Sequence, residues 1–423
     1  MRSRIVVAVA AAVTAAALGL TACGSSGDSG GSSGSGSAPS AASGKPITVG
    51  VLTSLTGSGA SGYLTVEKGV KARFAEVNAK GGVNGHQLKY VMADDASTAA
   101  GAASAARKLV QQDKVYAVLP LTSFFSGAAP VLKASGIPIV GTGTGGEPQW
   151  QDKSFTNLFD AAGNIDFTKV PTTLGEYFKS RGATKIASIG YGVSPASANA
   201  AQAAVISAEH AGLKKAYLNA QLAFGTTDVG PLVLAIKSSG ADALYLPVVP
   251  DTAFAIAAAL QQSGVKMKSV LLSTGYGGDL LKSKPTVAAA EGMDFLTVQT
   301  PVEADTDATK AMQDALATYA DETGQPTFAE YIGWSSADLF VTGLKDAGDN
   351  ASAEQFITKL RASTWDGAGL QKPIDYADQA PIGAAMGPGN CVNVVKMTGG
   401  KFVPVDGATP ICGEIINGVT VGS

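Results

Sequence analysis

The chain has 423 residues, 45% of them hydrophobic and 15% charged, with 31 basic and 34 acidic side chains for a formal net charge of -3. That balance excludes the basic face a nucleic-acid partner demands, and the length suits two lobes rather than one. Three Cys and two well-separated His, His86 and His210, offer no metal-ligand spacing, so neither a metal nor a cofactor is expected.

Arg2 and Arg4 precede an apolar run over residues 5–20. The run is too short and too Ala-rich for a spanning helix and reads as a signal h-region. It ends in Leu20-Thr21-Ala22-Cys23-Gly24, which resembles the bacterial lipobox. Residues 1–22 are therefore expected to be a lipoprotein signal peptide and Cys23 the lipidation site. Residues 23–45 hold that Cys and a Gly/Ser tether, which as a random coil reaches roughly 25 Å. The expected location is the outer face of the cytoplasmic membrane, lipid-anchored and extracytoplasmic. Export puts Cys391 and Cys412 in an oxidising compartment and predicts a disulfide between them. Closing that loop of about 20 residues contributes roughly 3 kcal/mol in the chain-entropy model.

The body begins with a short apolar strand over 47–52. A helix follows with Val66, Val70, Phe74 and Val77 on one face. A strand over 88–92 ends at Asp94-Asp95, and Ser97 is placed to cap a helix running through Val110. A strand over 115–119, a helix around 128–134 and a strand over 137–140 complete a βαβαβαβ series, the pattern of a parallel sheet covered on both faces. The series restarts with strands over 186–189, 216–218, 243–248 and 270–272. Helices over 197–211, 231–238 and 252–262 lie between them. Helices over 312–321, 337–345 and 354–361 and a hairpin around Gly399-Gly400 close the chain. The fold class is α/β, with two Rossmann-like lobes.

Gly57, Gly59 and Gly62 match the G-x-G-x-x-G spacing of a dinucleotide loop. Two features oppose that reading. Thr53, Ser54, Leu55 and Thr56 separate the strand from Gly57, whereas in a dinucleotide fold the strand runs straight into the first Gly. The acid expected about 20 positions on is misplaced, because Asp94 comes 32 positions after Gly62. The loop reads as a turn at the carboxyl edge of a sheet, where open α/β sheets bind ligands.

The segments "KPITVGVLTSLTGSGAS", "KGVKARFAEVNAKGGVNGHQLKYVMADDAS", "ARKLVQQDKVYAVLPLTS", "APVLKASGIPIVGTGTG" and "AEYIGWSSADLFVTGLKDAG" follow one another along the body. Together they resemble the extracellular solute-binding proteins of branched-chain amino-acid-type ABC importers. The resemblance implies a type I periplasmic-binding fold, with three crossover hinge segments near 161–165, 295–301 and 360–366. Lobe 1 is then residues 46–163 plus 299–362, and lobe 2 is 164–298 plus 363–423. It also implies a monomer that traps a small molecule (an amino acid, carboxylate or amide) by hinge closure and delivers it to an ABC permease.

The resemblance further implies binding residues. Thr122 and Ser123, in the loop after the third strand, are candidates for holding a ligand carboxylate. Thr142 and Thr144 match the next loop. Hydroxyls and loop N–H groups accept anions without a buried countercharge. Tyr63, Phe124 and Tyr276 are candidates for an apolar wall. On lobe 2, Asp279 stands near the position of the family's ammonium-pairing acid. Pro195 occupies a position where Tyr is common, with Tyr191 near it. Two other readings have sequence support. The same fold serves ligand sensing, although the chain carries no signalling domain. An exported hydrolase would have to draw on Ser123, His86 and His210, but no G-x-S-x-G elbow surrounds any Ser. The expectation is a binding protein, not an enzyme.

Overall fold

The computed structural model describes residues 44–143, 147–163, 165–226, 228–378 and 386–422. The signal peptide, Cys23 and all but the end of the tether lie outside the described residues, as does Thr144.

Strands β1 (Ile47–Thr53), β2 (Leu88–Asp94), β3 (Ala117–Leu121), β4 (Ile139–Gly141) and β5 (Leu158–Asp160) form a parallel sheet in the order β2-β1-β3-β4-β5. Every residue of β3 is buried, as a strand covered on both faces requires. Helix α1 (Val66–Ala79) buries Val66, Val70, Phe74 and Val77, the face read from the sequence. Helices α2 (Ala99–Arg107) and α3 (Phe125–Ser135) cover the other face through Ala102, Ala106, Ala128 and Leu132. The cap of α2 is Thr98, whose hydroxyl accepts from Gly101 N, and not Ser97. Ser97 sits at φ 54°, and its hydroxyl donates to Thr56 O at 2.7 Å, pinning the glycine loop.

The second unit runs β6 (Lys169–Pro171), α4 (Thr173–Ser180), β7 (Lys185–Tyr191), α5 (Pro195–His210), β8 (Lys214–Leu222), α6 (Gly230–Ser239), β9 (Ala243–Leu246), α7 (Pro250–Gln262), β10 (Ser269–Leu272), α8 (Gly278–Leu281), α9 (Lys284–Ala290) and β11 (Asp294–Thr297). The chain then forms α10 (Asp307–Ala320), α11 (Phe328–Ala347), α12 (Ala353–Arg361), β12 (Thr364–Trp365) and β13 (Ile374–Asp375). It ends in β14 (Cys391–Thr398), β15 (Lys401–Pro404), β16 (Ile411–Cys412) and β17 (Ile415–Thr420). The second sheet is ordered β15-β14-β11-β10-β9-β7-β8, with β16 on β14. Strand β14 is antiparallel to β11, and β15 is antiparallel to β14. Cys391 stands opposite Cys412 in the β14–β16 register, and the disulfide joins them.

Helix α11 is longer than the sequence suggests. Periodicity marks only 337–345, yet the helix starts at Phe328 behind a capping box of Thr327 and Glu330. From Ala329 to Val341 it is buried on all sides, so no amphipathic stripe announces its first half. It crosses α1 closely. A Cβ on Gly69 would lie 2.2 Å from Glu330 O, and one on Gly333 2.4 Å from Val66 O. Only glycine lets the two backbones approach this far.

The chain passes between the sheets three times. The 364–376 segment is tied to the first two passages, because Gln371 Nε2 donates to Ala161 O at 3.1 Å and Thr300 N donates to Leu370 O. Trp365 and Tyr376, placed from sequence in lobe 2, pack in the cluster of Val49, Val51 and Phe340 instead. The β12–β13 pair holds them there.

Candidate functional site

In a parallel sheet all the carboxyl ends lie along one edge, and the loops leaving them meet there. Thr327 links the two edges. Its hydroxyl shares a 2.6 Å hydrogen bond with Thr65, in the loop after β1. Its Cα also lies 3.3 Å from where a Cβ on Gly277, in the loop after β10, would stand. Gly278 N donates to Pro326 O at 3.0 Å. Thr327 and Pro326 thus stand between the loop that leaves β1 and the loop that leaves β10.

On the first edge the residues singled out by sequence come together. Thr122 is buried, and its hydroxyl donates in a short hydrogen bond to Asp95 Oδ2. Ser54 donates to Asp95 Oδ1 at 2.7 Å. Ser123 is exposed and shares a 2.7 Å hydrogen bond with the Tyr63 hydroxyl. Thr142 is buried and shares a 3.1 Å hydrogen bond with Ser336 of α11. Phe124 is half-buried and packs on the α2–α3 cluster.

The sequence reading missed the acids beneath these groups. Asp95 is fully buried and takes both hydroxyls plus Ser97 N at 2.8 Å. Asp94 accepts from Leu55 N, Thr56 N, the Thr56 hydroxyl and Ala96 N. Those donors outweigh its desolvation and hold its pKa below the usual carboxylate range. Asp160, at the end of β5, accepts from Gly143 N at 3.1 Å and Ala162 N at 2.9 Å, both on Oδ1. Burial, with Glu147 nearby, pushes its pKa up to about 7 against these bonds. The adjacent Asp94-Asp95 pair at a strand end was the available signal.

The glycine loop is closed by its own protein. Gly57 sits at φ 87°, against Ala96 O. Gly59 N donates to Ser97 Oγ at 2.9 Å. A 3₁₀ turn at Ala60–Gly62 separates the loop from α1, so the helix N-terminus does not open on the glycines.

On the second edge, Tyr191 is buried, donates to Thr252 Oγ1 at 2.8 Å and packs 5.1 Å from the Phe224 ring. Tyr276 is buried too. Its hydroxyl donates to Glu303 Oε2 at 2.8 Å, accepts from Val302 N at 3.1 Å and lies 3.4 Å from the Tyr331 hydroxyl. Burial and these neighbours drive its pKa far up. It thus joins lobe 2 to the second passage and to α11. Asp279 is exposed in the first turn of α8.

Seven large apolar side chains are exposed among the described residues: Leu64, Val193, Phe224, Leu234, Val249, Phe328 and Val403. Five of them (Leu64, Val193, Phe224, Val249 and Phe328) lie in the loops of the two edges or at the start of α11. Behind Asp160 lies a separate cavity of about 260 Å³, lined by Trp150, Phe159, Arg361 and Tyr376 among others. Arg361 fills one side. It donates to Thr156 O and Leu158 O and lies 4.3 Å over the Phe159 ring.

A family model of periplasmic binding proteins matches residues 46–401. The Leu/Ile/Val-binding protein BraC3 of Rhizobium johnstonii is 26% identical over 74% of this chain and 83% of its own. An amino acid binding protein of Pseudomonas aeruginosa is 32% identical over 47% of this chain, which spans about half, 53%, of that relative's length. Among solved structures, a solute-binding protein of an R. palustris ABC transporter in complex with benzoate superposes with a TM-score of 0.68 at 16% identity, covering 88% of this chain and 97% of that one. The branched-chain amino acid transporter substrate-binding protein of Streptococcus pneumoniae in complex with isoleucine gives 0.66 at 20% identity, covering 85% and 99%. Among the described residues no helix is long and apolar enough to cross a membrane. The chain belongs to the periplasmic binding protein family and has the two-lobed type I fold.

Proposed function

We propose that this protein is the substrate-binding component of an ABC importer. It captures a small solute with a polar head and an apolar body, an amino acid or a related carboxylate or amide, between lobes 46–163 plus 299–376 and 164–298 plus the chain after 386. It is lipid-anchored at Cys23 on the outer face of the cytoplasmic membrane and hands the solute to a permease as a monomer. Ser123, Tyr63, Thr142 and Thr144 contact the polar head, with Thr122 and Phe124 shaping their loop. Tyr191 and Asp279 serve from lobe 2, where the Tyr276 ring backs the wall and its hydroxyl ties the loop to the second passage.

One observation carries the reading. Four of the seven large exposed apolar side chains, Leu64, Val193, Phe224 and Val249, stand in loops at the carboxyl ends of strands, with a fifth, Phe328, at the start of α11, and a solute bound between the lobes would cover them. Native mass spectrometry after incubation with a cell extract tests it. The expected result is one small molecule per chain, saturable and released intact. A Phe224→Asp variant should lose it, and cells lacking the protein should lose uptake of the same molecule. Release of a chemically changed molecule would point to an enzyme instead.

A further inference from the structure

We propose that the cavity behind Asp160 is a second binding site, for a small, neutral, planar heterocycle that carries both hydrogen-bond donors and acceptors, such as a nucleobase. The site does not rest on the cleft reading, since Ser123, Tyr63, Thr142 and Phe224 do not line it. At about 260 Å³ it lies just under the roughly 300–1,000 Å³ of drug-sized sites, which limits its guest to one or two fused rings. Its walls suit a flat guest. Trp150, Phe155, Phe159 and Tyr376 line it, and the Arg361 guanidinium, itself planar, lies 4.3 Å over the Phe159 ring. Phe125 braces this wall, with its ring centroid 4.6 Å from Trp150 and 6.1 Å from Phe155. Heterocycles stack on such surfaces because every base has a π-face.

Two polar groups in the wall lack a full set of partners. Arg361 Nη2 donates to Thr156 O at 2.9 Å and to Leu158 O at 3.0 Å, while its Nε and Nη1 find no acceptor among the described residues. Burial lowers the Arg361 pKa, and the neighbour that opposes the fall is Tyr376 rather than a carboxylate. A half-buried arginine is ordinarily answered by an acid, as Arg73 is by Glu76 and Asp338. Asp160 is the second group. Its bonds from Gly143 N and Ala162 N both fall on Oδ1, and Oδ2 accepts none among the described residues. Tyr376 connects the two. Its hydroxyl donates to Asp160 O at 2.9 Å, and it feels the charges of both Asp160 and Arg361. Unmet donors and an unmet acceptor in one cavity match a guest that has both.

Charge disfavours an ion of either sign. Arg361 and Lys153 line the cavity, and so do Asp152, Asp160, Asp375 and Asp378. Asp152 is answered by Lys133, and Lys153, Asp375 and Asp378 are exposed. An anion meets Asp160 and the exposed acids, and a cation meets Arg361. A neutral ring bears neither cost, and its N–H and its ring nitrogen or carbonyl can use both unmet groups.

The test is fluorine NMR of the full chain, labelled with fluorotryptophan and kept in a mild non-ionic detergent. The chain has three Trp. Trp150 lines the cavity, and Trp334 and Trp365 sit in two other cores and serve as references. The probes are adenine, hypoxanthine and uracil, beside indole (a donor with no acceptor), benzylamine and benzoate, titrated into the parent and into Phe224→Asp, which alters the cleft. At least one base should move the Trp150 signal saturably, with the same affinity in both proteins. In Phe224→Asp it should bind at least about 10-fold tighter than indole, benzylamine or benzoate, the worth of a hydrogen bond to a charged group. Arg361→Gln should abolish the effect. Because Arg361 also holds two carbonyls, Asp160→Asn is the second variant. It turns the open acceptor into a donor and should weaken the base by about 10-fold.

The proposal is overturned if none of the three bases moves the Trp150 signal, or if indole or either ion binds Phe224→Asp as tightly as the best base. It is also overturned if the effect of the base is lost in Phe224→Asp and kept in Asp160→Asn, which would assign that base to the cleft.

Discussion

Ser123 and Asp160 mark the two kinds of side chain on the first edge. Ser123 is exposed and, among the described residues, hydrogen-bonds through its side chain to Tyr63, so its removal touches the ligand more than the fold. Ser123→Ala is expected to weaken solute binding by about 10-fold, one lost hydrogen bond to a polar head, with no change in unfolding free energy. Equal affinity in the two proteins would remove Ser123 from the site. Asp160 acts on stability as well. Its pKa is about 7 in the native state, above the ordinary carboxylate value in the unfolded chain. The protonated form is therefore favoured on folding, and the native state binds more protons than the unfolded one between about pH 4 and about pH 7. Stability from this residue is complete below about pH 4 and is lost as pH rises toward 7. Urea unfolding at pH 5 and pH 8 should show a fall of about 1–4 kcal/mol, at about 1.4 kcal/mol per pH unit, and Asp160→Asn should flatten it. An unchanged slope in the variant would contradict the assignment.

At the level of elements, the α1–α11 crossing depends on Gly69 and Gly333, each of which places one backbone against the other. Gly69→Val must push the helices apart and should destabilise the protein by about 1–3 kcal/mol or more. A thermal melt unchanged by that substitution would refute the close approach. Thr327→Ala removes a cap hydroxyl and the contact to Thr65. It should cost about 1 kcal/mol, measurable by the same melts. Legibility in the sequence followed burial pattern. Helix α1 was readable because Val66, Val70, Phe74 and Val77 form one stripe, and β1 because it is a short apolar run before a turn. The first half of α11 was not, because Tyr331, Ile332, Gly333 and Trp334 are all buried and leave no contrast to read. Strand edges slid by two residues at β3, where a fully buried run has no internal marker. Of the site, the hydroxyl loops were legible through resemblance. Their partners were not, since Ser54 and Asp95 are 41 positions apart and meet only once β1 and β2 pair.

For the whole molecule, the proposed function makes the two sheets jaws and the three passages their hinge. Tyr276 joins a lobe 2 loop to Glu303, Val302 and Tyr331, so it belongs to the joint more than to the wall. Tyr276→Phe keeps the ring and drops these bonds. It is expected to change the rate or extent of closure, read by small-angle scattering with and without solute, more than the affinity of the closed state. Identical scattering changes in variant and parent would return Tyr276 to a packing role.

The most direct test of the central claim is a thermal-shift titration of the protein with aliphatic and aromatic amines, amides, amino acids and carboxylates, run beside a Ser123→Ala, Phe224→Asp double variant. The account predicts a saturable rise in melting temperature for one chemical class, equivalent to about 4 kcal/mol at about 1,000 times the dissociation constant, and its loss in the double variant. A rise of equal size in both proteins would place binding outside the cleft and contradict the account.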